Sequence, residues 1–489
     1  DGDYDPPPRH GMLDQHAYVC MHEDHGVEVG KLHKGELFPI KAGWRCGVGE
    51  YGAEGIEPLH TMRKRYPAEW LPEEQNEDDP TWTPDRIPYC QAWGWHHQWY
   101  DPQDTIKDWI AASWHHQDWA VRFMQEGFRR RADIINSTTI HLLINSRPNN
   151  WLKALVSVDR EPLPGYFAFA DANTPLAVNL RTDRHAITGG ETLDAELWVL
   201  NDTNDAPPGL TAVYWVTCGD EVLWINRCDA TSRPVGAEFQ GHLRWAAPTA
   251  RAATPITMHA ALLDAEGNVL HDHRVNLTLW PEVDRNLLAG RAVAILGREG
   301  DRAWTLAEAF GASPRPWLAC ESPDLVLADS ADEARGAADA LNGYLQRGGA
   351  FYGLCQTPGE HWAVGDRGVT VQRGRGHQFV SRKTGHPIVD GLDPFHFSFW
   401  YDHERDRIAH LVTGHLEVEG EVEGEGLAPI TMTGKGIWYS PRAMLTSAGE
   451  LAVGSGRAIF DQVAATERMP AEPRAAAYLQ RVLTHLLRQ

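Results

Sequence analysis

The sequence lacks the features of a membrane protein and of a nucleic-acid-binding protein. No apolar run approaches the roughly 18 to 20 residues that a bilayer span requires. The 489 residues contain 45 Lys plus Arg against 67 Asp plus Glu, which gives a formal net charge of −22. A chain this acidic is poorly suited to neutralising phosphates or an anionic membrane surface. We therefore expect neither nucleic acid nor a membrane as a partner.

Cysteine is scarce as well. The chain has seven cysteines, an odd number, and no C-x-x-C pair, so the sequence indicates neither a disulfide framework nor a structural zinc site. Two pairs of adjacent histidines occur, His96-His97 and His115-His116. No carboxylate lies at the sequence spacing that would let it bind a metal together with both pairs. We expect no metal and no cofactor.

The N-terminus gives no information on the compartment. The first residue is Asp1, and no basic segment or apolar signal core follows it, so a targeting segment is absent or lies upstream. A periplasmic, an extracellular and a cytoplasmic location all stay open. The oligomeric state is open too, with a homo-oligomer as one option.

Length and changes in hydrophobic pattern predict a multidomain chain. Residues 172–282 contain short alternating runs separated by turns, such as Thr192–Val199 and Ile256–Leu263, which are typical of an antiparallel β-sandwich. In residues 283–489, strand runs such as Arg291–Gly297 alternate with helical runs. That alternation predicts an α/β domain with a parallel sheet.

Residues 1–171 end in a helical pattern followed by a strand. The helical runs Asp104–Trp114 and Asp118–Arg131 precede the buried-strand run Ser137–Ile144, and a helix followed by a strand is typical of an α/β barrel repeat. These 171 residues cannot supply the roughly 250 of a complete (β/α)8 TIM barrel. A piece of such a barrel, or a different fold, is therefore implied.

The most informative stretch is GWRCGVGEYGAEGIEP, residues 43–58. A strand-like run leads into Glu50, with glycines at positions 47, 49, 52 and 55 around it. Glycine lets the backbone approach a ligand closely, so an acidic residue at such a strand end is suited to chemistry. Glu54 and Glu57 precede the helical run Leu59–Tyr66 and are interpreted as acids at a helix N-terminus.

This stretch resembles glycoside hydrolase family 2, in its β-galactosidase and β-mannosidase branches. Gly49-Glu50-Tyr51-Gly52 is similar to the nucleophile sequence at the end of barrel strand seven, Ser-Glu-Phe-Gly or Thr-Glu-Tyr-Gly. Upstream, His16 and His22 match the strand-six pattern Gly-Asp-x-His-x-Trp-x-x-Trp-His. Tyr18 and Met21 replace the two tryptophans of that pattern.

A third stretch follows in the same order. Residues 140–151, IHLLINSRPNNW, resemble the strand-eight segment Trp-Gln-Leu-Asn-Asp-x-Trp-Pro. Asn145 and Pro148 match it, and Leu142 replaces its first tryptophan. Three motifs in the right order are more specific than any one of them.

The resemblance implies an architecture for the whole chain. In this family an immunoglobulin-like sandwich follows the barrel, and some members carry a further domain similar to class I glutamine amidotransferases. Residues 1–171 would then be the C-terminal strands of a TIM barrel and residues 172–282 an immunoglobulin-like sandwich. Residues 283–489 would be a flavodoxin- or amidotransferase-like α/β domain.

The resemblance also implies a retaining exo-β-glycosidase that acts on terminal β-linked sugars of oligosaccharides, polysaccharides or other glycosides. Glu50 would be the nucleophile of a double displacement, with a second carboxyl group about 5 to 5.5 Å away as acid/base. The family's acid/base glutamate follows an asparagine on strand four, and no Asn-Glu precedes Glu50. The sequence is therefore expected to begin near strand six, without that residue. The substrate-binding residues that we expect are His16, Tyr18, His22, Asn145 and Trp151.

Two other interpretations stay open. Cys355 follows a buried-strand run in residues 348–356, where amidotransferase-like domains hold a nucleophilic cysteine, but a thiol hydrolase needs a histidine within reach of the sulfur. Thr357 replaces the second glycine of the usual Gly-x-Cys-x-Gly, which favours a non-catalytic domain. The last alternative is a non-catalytic carbohydrate-binding or scaffold module. Burial of Glu50 against a basic side chain, far from any cleft, would favour it.

Overall fold

The computed structural model describes residues 12–18, 29–36, 44–87, 101–150, 152–364, 367–377, 383–419, 426–435 and 443–488. The chain forms two compact units. The first comprises residues 1–96, 102–281 and 405–409, and the second comprises residues 97–101, 282–404 and 410–489. The predicted domain borders near residues 171 and 282 stay predictions.

The described residues contain nine α-helices. Their bounds are α1 (Val29–Lys34), α2 (Leu59–Arg65), α3 (Ile106–Arg130), α4 (Pro164–Ala172), α5 (Arg302–Ala309), α6 (Ala331–Gly336), α7 (Ala338–Gln346), α8 (Ala465–Arg468) and α9 (Pro473–Leu487). Within the described ranges, no helix combines the length and the apolar character needed to cross a bilayer.

Strands make up most of the remaining regular structure. Those in residues 12–280 are β1 (Met12–His16), β2 (Arg45–Tyr51), β3 (Ile135–Ile140), β4 (Leu176–Arg181), β5 (Ala186–Thr188), β6 (Thr192–Asn201), β7 (Leu210–Cys218), β8 (Glu221–Ala230), β9 (Gly236–Ala246), β10 (Thr254–Leu263) and β11 (Val269–Trp280). Those in residues 293–461 are β12 (Val293–Leu296), β13 (Arg315–Pro316), β14 (Leu325–Ala328), β15 (Ala350–Gly353), β16 (His361–Val364), β17 (Arg367–His377), β18 (Tyr401–Asp402), β19 (Arg407–Ile408), β20 (Val412–Val418), β21 (Ala428–Lys435), β22 (Ala443–Val453) and β23 (Gly456–Asp461).

The first unit begins with a three-stranded parallel sheet in the order β1-β2-β3. Its register places His16 of β1 opposite Glu50 of β2, and Tyr51 of β2 opposite Ile140 of β3. Helices lie between the strands in the chain, α1 after β1 and α2 and α3 after β2. Parallel neighbours need such crossover segments. The carboxyl ends of the three strands therefore meet at one edge of the sheet.

Helix α3 is continuous where the sequence predicts two helices, at 104–114 and 118–131. No glycine or proline interrupts the intervening residues 115–117, so nothing stops the backbone ladder there. Thr105 caps its start, because its hydroxyl accepts from the N–H of Asp108 over 3.2 Å. Buried Val121, Met124 and Phe128 repeat at helical spacing on one side.

The alternating pattern of residues 174–280 forms two sheets that share a core. One sheet has the order β4-β6-β9 and the other the order β5-β11-β10-β7-β8, and all pairs are antiparallel except β5 with β11. Side chains that alternate along the strands fill the core, for example Leu197, Val199, Val216 and Met258. The predicted antiparallel sandwich is therefore present.

In the second unit, the α/β pattern forms a seven-stranded sheet in the order β13-β12-β14-β15-β23-β22-β21. The first five strands are parallel, and β22 and β21 continue the sheet antiparallel. Helix α9 buries Leu479, Val482 and Leu483 in the core beside this sheet. A further sheet has the order β16-β17-β20. The parallel part agrees with the α/β prediction.

Candidate active site

Glu50 lies at the carboxyl end of β2, at the edge where the parallel strands meet. The sheet pairing continues past the strands here: the N–H of Ala17 donates to the carbonyl of Glu50, and that of His141 donates to the carbonyl of Tyr51, both over 2.8 Å. These bonds fix the segments that follow β1 and β3 against Glu50. The Glu50 side chain is 35% exposed, so its carboxylate is accessible to solvent.

Two side chains from the end of β1 contact the same oxygen of Glu50. The phenol of Tyr18 donates to Oε2 over 2.7 Å, and Nδ1 of His16 lies 3.4 Å from Oε2. Tyr18 itself is buried. A short hydrogen bond to a charged oxygen is stronger than one between neutral groups. The carboxylate is therefore held in one place by a rigid donor.

The surroundings favour the ionised form of Glu50. Partial burial alone would raise the pKa of its carboxyl, but the Tyr18 hydrogen bond and the charges of His141, His16 and Lys153 lower that pKa overall. Burial, with help from the Glu50 charge and hydrogen bond, raises the pKa of Tyr18 well above its usual value. Tyr18 thus remains a donor at every physiological pH. An ionised carboxylate with a permanent donor is suited to nucleophilic attack.

Lys153 and His141 complete the site. The ammonium nitrogen of Lys153 lies 3.9 Å from the centroid of the Tyr18 ring, within the range of a cation–π contact. Burial lowers the pKa of His141. The neighbouring Lys153 charge lowers that pKa further, whereas the Glu50 charge raises it.

The glycines beside Glu50 make room for protein groups. A Cβ atom at Gly49 would collide with the Asp14 carboxylate, and one at Gly52 would lie 2.6 Å from the carbonyl oxygen of His141. Both glycines therefore let β1 and the segment after β3 pack against β2. The sequence analysis expected the glycines to let a ligand approach, whereas the groups that approach Gly49 and Gly52 here are Asp14 and His141.

Glu57 directly precedes Pro58, the N-cap of α2, as predicted, and its carboxylate binds two groups from elsewhere in the chain. Its side chain is fully buried, and Oε1 accepts from the Asn145 amide over 2.5 Å and from the N–H of Val158 over 3.2 Å. Burial raises the pKa of Glu57. The predicted substrate-binding residue Asn145 is buried too, with its amide on Glu57.

The structure thus brings three of the six residues singled out from the sequence together, namely Glu50, His16 and Tyr18. His22 and Trp151 lie outside the described residues, and Asn145 belongs to the Glu57 contact. Sequence reasoning missed His141 and Lys153. One signal for Lys153 was available, because it is the only charged residue in the apolar run LKALV at 152–156.

In the second unit, Cys355 follows β15 as expected. Its thiol sulfur lies 3.6 Å from the carbonyl oxygen of Gln462 and 3.7 Å from the side-chain Oε1 of the same residue. Amide oxygens are too weakly basic to take a proton from a thiol at neutral pH, so these contacts do not activate the sulfur.

Three potential metal ligands also meet in the second unit: His386, Glu450 and His485, whose ligand atoms lie within 4.8 Å of one another. Nε2 of His386 and of His485 lie 3.0 and 2.8 Å from Oε2 of Glu450. However, the N–H of Ile388 donates to Nδ1 of His386. A neutral ring that accepts at Nδ1 carries its proton on Nε2, where a metal would have to bind. Hydrogen bonding explains this cluster, and we assign no metal to it.

The sequence matches no protein-family model and no curated protein sequence. Parts of the structure are similar to solved glycoside hydrolases. A β-D-mannosidase from Dictyoglomus thermophilum is 13% identical over 58% of this chain and 32% of that chain, with a TM-score of 0.38. An exo-chitosanase from Amycolatopsis orientalis is 15% identical over 47% of this chain and 27% of that chain, with a TM-score of 0.35. The chain therefore spans a third or less of the length of these hydrolases.

Proposed function

We propose that this chain is the C-terminal portion of a retaining exo-β-glycosidase of the β-galactosidase or β-mannosidase type, with Glu50 as its nucleophile. In this proposal β1, β2 and β3 are strands six, seven and eight of a (β/α)8 barrel. The antiparallel sandwich is the immunoglobulin-like domain, and the second unit is the amidotransferase-like domain. The substrate is a glycoside, an oligosaccharide or a polysaccharide with a terminal β-linked sugar.

One observation carries the proposal: an accessible, ionised glutamate stands at the carboxyl end of a parallel strand with a tyrosine donating to it. In parallel α/β folds, catalytic groups collect at this edge of the sheet. The contacts described for Glu50 fall on Oε2, which leaves Oε1 to attack. Tyr18 and His16 then fix the direction of that attack.

The proposed reaction is a double displacement. Oε1 of Glu50 forms a bond to the anomeric carbon while the bond to the leaving oxygen breaks, and a second carboxyl group protonates that oxygen. The same group then deprotonates a water, which attacks the anomeric carbon and releases Glu50 as a carboxylate. We expect this acid/base group from a barrel strand that precedes β1 in the order of the fold.

The six predicted residues have different parts in this proposal. His16 and Tyr18 hold the nucleophile and border the bound sugar. Asn145 supports the loop after β3 through Glu57. His22 and Trp151 remain predicted sugar contacts.

A covalent label tests the nucleophile without the acid/base. A 2-deoxy-2-fluoro-β-glycosyl fluoride has a leaving group that needs no protonation, and its fluorine at carbon 2 slows release of the glycosyl-enzyme. We would incubate the protein with the galacto-, manno- and gluco-configured reagents and measure intact mass, then map the labelled peptide. One added glycosyl group on Glu50 is expected, with the best reagent reporting the sugar.

Two variants make the result specific. Glu50→Gln should not be labelled, whereas Glu161→Gln, a change of an exposed glutamate in the same unit, should be labelled at the wild-type rate. Labelling of another residue, or equal labelling of Glu50→Gln, would refute the assignment. Absence of any label, with binding of the free sugars retained, would favour the non-catalytic carbohydrate-binding module.

A further inference from the structure

Lys153 is a buried cation next to the proposed nucleophile. Lys153 is only 3% exposed, and it lies between Leu152 and Ala154, which are both fully buried. The backbone around it is fixed from three sides. The N–H of Gly55 donates to the Leu152 carbonyl over 2.7 Å and that of Leu155 to the Leu142 carbonyl over 3.1 Å, and the Gln117 amide donates to the Ala154 carbonyl over 3.1 Å.

Burying an ammonium group is costly, so its surroundings must compensate. Burial lowers the pKa of Lys153 to about 8, and the Glu50 carboxylate opposes that decrease. The ammonium lies 3.9 Å from the centre of the Tyr18 ring, and the phenol of the same ring donates to Glu50 over 2.7 Å. Tyr18 is thus in contact with a cation through its ring and with an anion through its hydroxyl.

We propose that Lys153 is a positioning residue of the Glu50 site, whose ammonium group fixes the Tyr18 ring and, together with it, keeps the Glu50 carboxylate charged and in place. Lys153 is too deeply buried to contact a sugar, so it acts through Tyr18 and through its field. The link from Lys153 to Glu50 through Tyr18 stands on the two contacts of that ring, and only its importance for catalysis rests on the proposed function.

Other charged or titratable groups also face Glu50. They are His16 at the end of β1, Tyr18 just after it, Asp14 beside Gly49, and His141 after β3. A test must therefore separate Lys153 from the two histidines.

Carboxyl-carbon NMR separates them without using activity. We would label the protein with glutamate carrying ¹³C in its side-chain carboxyl and identify the Glu50 signal as the one missing from Glu50→Gln. The pH titration of that signal would then be compared in the wild type, Lys153→Met and Lys153→Arg. Methionine keeps the length of the side chain without its charge, and arginine keeps a charge that does not titrate.

We expect the Lys153→Met midpoint to move upward, because the Lys153 charge is one of those that lower the pKa of Glu50. The Lys153→Arg midpoint should stay close to that of the wild type. The wild-type signal should show a second inflection near the pKa of Lys153 that is missing in Lys153→Arg. That inflection is measured on the wild type and Lys153→Arg, without Lys153→Met. The test can therefore be carried out even if Lys153→Met does not fold.

An unchanged midpoint in folded Lys153→Met, or a wild-type titration without the second inflection, would overturn the proposal. A purely structural lysine would lower the urea midpoint of the variant and leave the titration of Glu50 as it is. Failure of the proposed function has a different signature. In that case no glycosyl label forms in any variant, while the NMR titrations still report on Lys153.

Discussion

The phenol of Tyr18 and the carboxylate of Glu50 face each other 2.7 Å apart, across the ends of two paired parallel strands. The two residues are 32 positions apart in the chain. The register of β1 and β2 brings the two residues together. It places His16 opposite Glu50, and the N–H of Ala17 continues the pairing one residue further. A carboxylate at a strand end thereby gains a buried donor.

Tyr18→Phe removes this donor and keeps the ring over Lys153. A hydrogen bond to a charged group contributes about 1.5–3 kcal/mol, so the rate of glycosyl labelling at neutral pH should fall roughly 10- to 100-fold. The pKa of Glu50 should rise, because the Tyr18 bond lowers it. Rates measured by intact mass check this, with Tyr166→Phe as the control, since Tyr166 is exposed on α4. Equal rates for the two variants would contradict the role of the phenol.

Asn145→Asp should destabilise the first unit by about 3–5 kcal/mol, because it places a second carboxyl group against the buried Glu57. The Asn145 amide lies 2.5 Å from Glu57 Oε1. Adding Glu57→Gln should restore most of the stability, since an amide then faces a carboxylate again with the roles exchanged. Urea unfolding of both variants and of Glu57→Gln alone measures this. Additive losses in the double variant would show that the two side chains do not interact.

Glu126→Gln should destabilise the protein because Glu126 joins α3 to two strands of the sandwich. Its carboxylate accepts from Asn179 over 2.7 Å and lies 3.1 Å from Nε2 of His273. Burial would raise the pKa of Glu126, but His273, Arg122 and Arg130 lower it to about 2. Ionised Glu126 therefore stabilises the folded state at pH values above its unfolded pKa. This stabilisation is lost as the pH falls from about 4.5 to about 2.

We expect Glu126→Gln to cost about 3–5 kcal/mol at neutral pH and much less at the acid end of that range. Unfolding in urea, followed by circular dichroism at several pH values, measures the difference. Glu221→Gln, at an exposed position on β8, is the control and should be neutral. A loss that does not depend on pH would mean that packing, and not charge, is what the variant removes.

Asp461→Asn should have the opposite pH dependence. Asp461 is buried, accepts from Tyr352 over 2.9 Å and from the N–H of Val463 over 2.8 Å. Burial raises its pKa to about 7, against these hydrogen bonds. Since the folded state holds the proton more tightly than the unfolded state, the free energy of unfolding decreases as the pH rises from about 4 to about 7.

The stability of Asp461→Asn relative to the wild type should accordingly increase across that range, by up to roughly 4 kcal/mol, and stay constant above it. Thermal or urea unfolding of the two proteins at matched pH values measures the increase. A difference that is the same at the acid and the neutral end would show that Asp461 does not hold a proton in the folded state.

The sequence predicted the local elements better than their ends. The run at 137–144 predicts a strand, and the structure has β3 at Ile135–Ile140. Beyond it, the carbonyls of Leu142 and Leu143 accept from the N–H groups of Leu155 and Val156. This apolar segment therefore pairs with a later loop and not with β2. Hydrophobic periodicity cannot distinguish these two partners.

Some properties follow from the order of residues alone. Alternating apolar residues produce the sandwich strands, and alternating helical and strand runs produce the parallel sheets, because each pattern buries one face of its element. The glycine-flanked Glu50 at the end of a strand run was also visible, since backbone type and side-chain chemistry are local. The acidic composition likewise needed no structure.

Only the tertiary structure decided what surrounds that glutamate. Strand register brought Tyr18 and His16 to Glu50, loop packing buried Lys153 beside the tyrosine ring, and the Asn145 amide came to lie against Glu57. These encounters join residues far apart in the chain, and the pKa of each group depends on burial and on neighbouring charges. The burial of a group and the charges around it are defined only once the segments have packed. A local sequence pattern therefore cannot specify the pKa of the group.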